Sequence, residues 1–206
     1  MKNLIAFVGF KSSGKNTAAL PLIANGYTSL SFADSLKDAL ASIFCWDRQL
    51  LEGVTEESRI WREQIDVWWA EKLGIPHFTP RWMMMNFGTQ IMRQQFHDSI
   101  WLFNIERRIA TMDKPVVLTD CRFPNEIKMA GRYNGKIVRI KRGPEPSWLD
   151  TARLACAGSS AHILKLKELG VHESEWSWIG TFLGDVIEND GSIEELHSKV
   201  IEKCLT

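Results

Sequence analysis

The sequence has 206 residues, 45% apolar and 24% charged, a composition that suits one sizeable globular core. Its 25 basic side chains balance 25 acidic ones, so no excess positive charge exists to hold nucleic acid by phosphate neutralisation, although a local basic pocket for a small anion stays open. The longest nearly unbroken apolar stretch, Leu4 to Phe10, is too short to span a bilayer, and no charged leader followed by a long apolar segment opens the chain.

Leu4 to Val8 is a short continuous apolar run ending at Gly9, the pattern of a strand buried on both faces. A Gly/Ser-rich loop follows, then a helix from Lys15 that Pro21 is expected to kink or end early. Thr28 to Phe32 reads as a second strand. Leu36, Ala39, Leu40, Ile43 and Phe44 then fall at helical spacing, with Asp34 or Ser35 placed to cap. From Asp47 to Met112 the pattern is helical throughout. Three stripes stand out: Ile65, Trp68, Trp69 and Leu73; Met84, Phe87, Ile91 and Gln95; and Trp101, Ile105, Ile109 and Met112 behind Asp98 as N-cap. Strands return at Pro115 to Asp120 and at Lys136 to Arg142, separated by a helix that opens at Pro124 and stops at Asn134-Gly135. Gly143 to Trp178 carries several turn-forming breaks and reads as a mobile excursion with some helix. Asp185 to Glu188 is a last strand, and Ser192-x-x-Glu195 is a capping box opening a final helix. Five short strands alternating with helices predict an α/β fold with a parallel sheet and a helical insertion between strands two and three.

The most specific motif is Gly9-Phe10-Lys11-Ser12-Ser13-Gly14-Lys15-Asn16-Thr17, a G-x-x-x-x-G-K loop after a buried strand and before a helix. Its glycines let successive N–H groups and the helix N-terminus converge on a polyphosphate, with Lys15 reaching the β- and γ-phosphates. Asn16 stands where Ser or Thr is usual, so Thr17 supplies the nearby hydroxyl for Mg²⁺. Asp120 ends an apolar strand, where a carboxylate positions Mg²⁺ through water. Cys121 follows it instead of a second acid, which favours transfer to a substrate over hydrolysis by a motor. Transfer to a phosphate acceptor needs placement and charge more than acid–base help. Basic residues are therefore the candidates: Arg122 foremost, two residues beyond the Asp120 strand end at the sheet's carboxyl edge, then Lys37, Arg81 beside Trp82, Arg93 and Arg142. The four cysteines, Cys45, Cys121, Cys156 and Cys204, form no C-x-x-C pair and read as free thiols. The five histidines lack metal-ligand spacing. Six of the nine Trp lie between Trp46 and Trp101 and are read mainly as core, with a homodimer surface in this stretch left open.

With these residues in view, the chain resembles the bacteriophage deoxynucleoside monophosphate kinases, a branch of the P-loop nucleotide kinases, over almost its whole length. The shared stretches are the loop from Gly9 to Thr17, Phe32 to Lys37, Thr79-Pro80-Arg81-Trp82, Phe87 to Arg93, Phe96 to Trp101, Asp120 to Glu126, His172 to Glu175, and Asn189-Asp190-Gly191. The resemblance implies a three-layer P-loop kinase fold in one domain over 1–206, with a monophosphate-binding insertion at 33–112 and a lid at 143–178. It also implies transfer from ATP to a dNMP with Mg²⁺ held by Thr17 and Asp120, small-molecule partners only, and the host cytoplasm as location. On this pattern Lys11, Ser12, Ser13, Gly14, Lys15, Asn16 and Thr17 hold ATP, with Lys15, Asp120 and Arg122 catalytic. Asp34, Lys37, Arg81, Trp82 and Arg93 face the acceptor, Arg122, Asn125 and Glu126 lie where donor and acceptor meet, and Arg142, Arg153 and Glu175 belong to the lid. Members of the family often carry Asp where this chain has Asn16. The competing readings are a kinase resembling dephospho-coenzyme A kinase, a nucleotide switch, for which the N-K-x-D base-reading motif is missing, and a nucleic-acid ATPase.

Overall fold

In the computed structural model, which describes residues 3–205, the first apolar run becomes β1 (Leu4–Val8), with all five side chains buried. In chain order α1 (Lys15–Ala24), β2 (Thr28–Leu30) and α2 (Asp34–Phe44) follow, then a 3₁₀ turn at Leu50–Glu52, α3 (Glu56–Glu63), α4 (Val67–Leu73) and α5 (Pro80–Met85). A π-helix spans Asn86–Phe96, ahead of α6 (Ile100–Ala110), β3 (Val116–Leu118), α7 (Pro124–Arg132) and β4 (Lys136–Lys141). The chain continues through α8 (Leu149–Cys156), α9 (Ser160–Glu168), α10 (Glu173–Trp176), β5 (Asp185–Glu188) and α11 (Ile193–Leu205). Two units result, one made of 3–31 with 108–205, the other of 32–107. Among the described residues no helix is long and apolar enough to cross a membrane.

The first unit is built on a five-stranded parallel sheet in the order β2-β3-β1-β4-β5. The crossover β1–α1–β2 runs one way from the centre and β3–α7–β4 the other. Right-handed connections then put α1 and α7 on opposite faces of the sheet, which makes three layers. One face packs Ile5, Phe7, Val138 and Ile140 against Ala18, Leu22, Leu196 and Val200 of α1 and α11. Side chains alternate along a strand, so Leu4, Ala6 and Val8 are buried on the other face, where α7 contacts β1 and β4.

Pro21 does not stop α1, which runs on to Ala24. A proline within a helix has no N–H for the carbonyl four residues back, here that of Thr17. The ring Nε2 of His197 lies 3.1 Å from that carbonyl and serves it in place of the missing donor. Residues 143–178 were expected to be an excursion with some helix, and the helix is extensive. They fold as α8, α9 and α10 around their own apolar cluster of Ala152, Ala155, Leu166 and Trp176. At the C-terminal helix the Ser192 hydroxyl accepts the Glu195 N–H as the capping box requires.

The second unit departs furthest from the stripes. Ala33, not Asp34 or Ser35, is the N-cap of α2, and the Ser35 hydroxyl donates instead to Asn104. Ile65 lies outside α4, while Trp68 and Leu73 are exposed and Ala70 is the buried member of that helix. Lys72 sits over the exposed Trp68 ring at 5.8 Å. The apolar core forms instead around Phe44, whose ring packs on Trp46, Trp69 and Phe78 with centroids 4.6, 5.1 and 5.3 Å away. The second stripe fails because the helix widens. The His97 N–H reaches the Met92 carbonyl five residues back, and the buried positions step from Met84 to Gly88 to Arg93 while Ile91 and Gln95 face out. The third stripe holds at Trp101, Ile105 and Ile109. Asp98 stands two residues ahead of α6 and pairs with Arg93, so it is not the residue that directly precedes the helix.

Candidate phosphate site and its surroundings

The loop from Gly9 to Gly14 takes its shape from where side chains cannot go. Gly9 has φ +143°, and a Cβ there would stand 2.3 Å from the Ile140 carbonyl oxygen of the neighbouring strand β4. Gly14, at φ +94°, would strike the Asn189 amide at 2.4 Å. That amide donates to the Ser13 carbonyl at 2.9 Å, so the loop after β5 braces the phosphate loop from behind. Asn189 lay in a recognised stretch, but nothing near it in sequence announces this contact, since its partner is 176 residues away.

Within the loop Lys15 is 8% exposed. Its ammonium donates to the Gly9 and Phe10 carbonyls at 2.8 Å each and lies 3.4 Å from the Ser13 hydroxyl. Burial first, then the nearby Arg122 guanidinium, lower its pKa to about 8, against an opposing pull from Glu175 and Asp120. Thr17 lies in the first turn of α1 and Asn16 beside it is exposed, as are Lys11 and Ser12.

Beyond β3, Asp120 accepts a hydrogen bond from Ser31 at 2.6 Å. Cys121 is fully buried, and burial pushes its thiol well up, so it is an inert packing residue. Arg122 is held on several sides. Its N–H and that of Phe123 both donate to Glu126 Oε2, at 2.7 and 3.1 Å, and its carbonyl accepts from the Ser177 hydroxyl at 3.1 Å. Glu126, expected to face substrate, is 2% exposed and caps this turn, so it acts through Arg122. Asn125 lies in the first turn of α7. Arg122 Nη1 donates to Glu175 Oε1 at 2.9 Å, while Glu175 Oε2 accepts the Lys11 N–H at 3.0 Å.

The two arginines expected in the lid are both exposed. Arg153 pairs with Asp150 on an exposed face of α8, and Arg142 is exposed just past β4. The arginine that reaches the loop is Arg139, which no sequence signal singled out. Its guanidinium lies over the rings of Phe10 and Trp178, at 5.1 and 5.4 Å, and pairs with Glu145 at 2.7 Å.

In the second unit most of the predicted acceptor residues have partners of their own. Buried Lys37 bonds Glu52 at 2.5 Å, and Arg48 bridges Glu52, Asp38 and, at 3.8 Å, Asp34. Burial opposes ionisation of Glu52, but Lys37 and Arg48 outweigh it and hold the carboxyl below its ordinary value. Buried Arg93 pairs with Asp98 at 3.1 Å. Trp82 follows the Thr79 cap and Pro80, its ring edge-on to His77 at 5.2 Å. Arg81 differs: among the described residues it has no ion pair or side-chain hydrogen bond. Its charge is felt by Arg62 of α3, which burial and Arg81 together push below its ordinary pKa and whose Nε is buried without a partner. Sequence reasoning missed Arg62, because an arginine in a polar helix reads locally as a solvated one.

No model of a known protein family matches the chain. A protein of Acanthamoeba polyphaga mimivirus, named "Putative deoxynucleotide monophosphate kinase", is 33% identical over 152 residues, which is 68% of this chain and 74% of that one. The deoxynucleoside-5'-monophosphate kinase of Escherichia phage T5 is 49% identical over 57 residues, 27% of this chain and 23% of that protein. Among solved structures, TT1252 from Thermus thermophilus aligns over the full chain and 98% of its own, at 19% identity and a TM-score of 0.45. Dephospho-CoA kinase from Campylobacter jejuni aligns over 98% of this chain and 95% of its own, at 16% identity and 0.40. Likenesses this loose add nothing to the fold read from the sheet itself. The mimivirus relationship does carry weight, and by it the chain is a kinase that belongs to the deoxynucleotide monophosphate kinase family.

Proposed function

We propose that the protein transfers the γ-phosphoryl group of ATP to a deoxynucleoside monophosphate, giving the diphosphate and ADP. The observation that carries this reading is the pairing of Lys15 and Arg122. Two cations are kept within electrostatic reach of each other beside a cradle of backbone N–H groups, and their repulsion is relieved by a polyanion. The acceptor's phosphate oxygen is already ionised, so no base is needed. That oxygen forms the new bond to the γ-phosphorus, the bond to the β,γ-bridging oxygen breaks, and ADP leaves with the electron pair. Lys11 to Thr17 bind the donor phosphates, and Lys15 and Arg122 stabilise charge on the transferring group. Arg81 offers an unpaired guanidinium group to the acceptor phosphate and Arg62 adds its charge there, while Asp34, Lys37, Trp82 and Arg93 shape that part of the 33–112 insertion. The 143–178 segment excludes water that would otherwise hydrolyse ATP.

The hydroxyl of Thr17 and the carboxylate of Asp120, whose charge is felt at Lys15, are hard oxygen donors of the kind Mg²⁺ takes. They are the residues that would hold it, and when bound it neutralises charge on the β- and γ-phosphates.

A coupled ADP-release assay with ATP and Mg²⁺ tests the proposal, adding dAMP, dGMP, dCMP, dTMP and the ribonucleotides singly. Turnover with at least one dNMP, lost in Lys15→Ala, is the expected result. Turnover with dephospho-coenzyme A alone, or ATP binding without turnover on any monophosphate, would overturn it.

A further inference from the structure

We propose that Glu175 is a positioning residue for phosphoryl transfer: its carboxylate ties the Arg122 guanidinium to the backbone of the phosphate loop, so that Arg122 meets the transferring group already aligned. The inference rests on the kinase reading above.

The geometry is a two-point bridge. One carboxylate oxygen takes Arg122 Nη1 at 2.9 Å, and the other takes the Lys11 N–H at 3.0 Å. The bridge is itself anchored. Glu175 belongs to α10, and its carbonyl accepts from the Trp178 indole at 2.9 Å. Trp178 packs on Phe10, one residue before Lys11, with ring centroids 5.3 Å apart. Ser177 holds the Arg122 carbonyl. Glu175, Ser177 and Trp178 therefore hold Arg122 and the Phe10-Lys11 part of the loop at once.

Electrostatics explains why a carboxylate is needed where phosphates are to bind. Arg122 and Lys15 repel each other, and a flexible arginine left alone would swing toward solvent, since a third of its side chain is exposed. Glu175 offsets that repulsion while occupying one of Arg122's two terminal nitrogens, which leaves the remaining donors of the fork for phosphate. The rival role for the same carboxylate is an anion that competes with the nucleotide for these donors. The two roles predict opposite kinetics.

The experiment compares Glu175→Ala, Glu175→Gln, Arg122→Ala and the Arg122→Ala/Glu175→Ala double variant, using ATP and the dNMP that the wild type turns over best. Misalignment of a catalytic group by about 1 Å costs on the order of 10²-fold. Positioning therefore predicts that Glu175→Ala lowers kcat about 100-fold while the KM for ATP and the Tm barely move. Glu175→Gln, which keeps one acceptor oxygen, falls in between. The double variant is no slower than Arg122→Ala alone, because the bridge has nothing left to position. Tighter ATP binding with kcat unchanged, or losses that multiply in the double variant, overturns the proposal. Relaxation of the Arg122 Nε–H by NMR gives a readout that needs no turnover: it should be ordered in the wild type and mobile in Glu175→Ala. Unchanged order overturns the positioning role, whereas a wild type inactive on every dNMP overturns only the kinase reading.

Discussion

Folding this protein forces Lys15 into a place that disfavours its charge, and the cost is measurable as a pH dependence of stability. The native pKa is about 8 against an ordinary 10.5. Two and a half units correspond to about 3 kcal/mol. Below pH 8 the ammonium is charged in both native and unfolded chains, and the native state bears that whole penalty. Between pH 8 and 10.5 the native lysine loses its proton first, so the unfolded chain binds more protons and stability rises with pH. Above 10.5 both are neutral and the penalty has gone. Integrated from pH 7 to pH 9.5, the gain is about 2 kcal/mol. Urea unfolding of the wild type and Lys15→Met at both pH values isolates this contribution, because other groups titrating in the window cancel in the difference. The wild type should gain about 2 kcal/mol on the variant as pH rises. A difference that stays flat, or shrinks, would show that Lys15 is not strained. ATP binding at pH 8 should accordingly take up about half a proton as phosphate restores the ammonium, read by calorimetry in buffers of different ionisation enthalpy.

Two further substitutions test the frame around the loop. His197→Ala leaves the Thr17 carbonyl without its donor and should cost about 1–3 kcal/mol in urea unfolding. Adding Pro21→Ala returns a backbone N–H and should recover about 1 kcal/mol more in that background than in the wild type, so strict additivity would refute the compensation. Gly9→Ala puts a methyl 2.3 Å from the Ile140 carbonyl at a φ of +143° and should destabilise by about 3 kcal/mol; a loss under about 1 kcal/mol would mean that β4 yields there.

What could be read in advance was local. Leu4 to Val8 became a strand with the bounds expected, because a short apolar run between breakers has few alternatives, and Asp185 to Glu188 did so too. The spacing of Gly9, Gly14 and Lys15 encodes a loop whose shape depends on its own backbone. Contacts across the chain were not legible. Glu175 meets Lys11 over 164 residues, and His197 relieves Pro21 from another helix. The helical stripes of the second unit failed for a different reason. They assumed 3.6 residues per turn where Asn86–Phe96 has the wider π spacing, and they counted Trp68 as core where Lys72 and solvent receive it.

The central position of β1 sets a timetable for synthesis. Its neighbours are Val116–Leu118 on one side and Lys136–Lys141 on the other. Leu4–Val8 thus waits for its sheet partners until some 130 further residues have been made, roughly 7–25 s at typical elongation rates. During that interval residues 32–107, contiguous in the chain, can acquire structure from their own local contacts. Leu4–Val8 meanwhile remains an unpaired apolar strand, the kind of segment that chaperones shield and that aggregates when they do not.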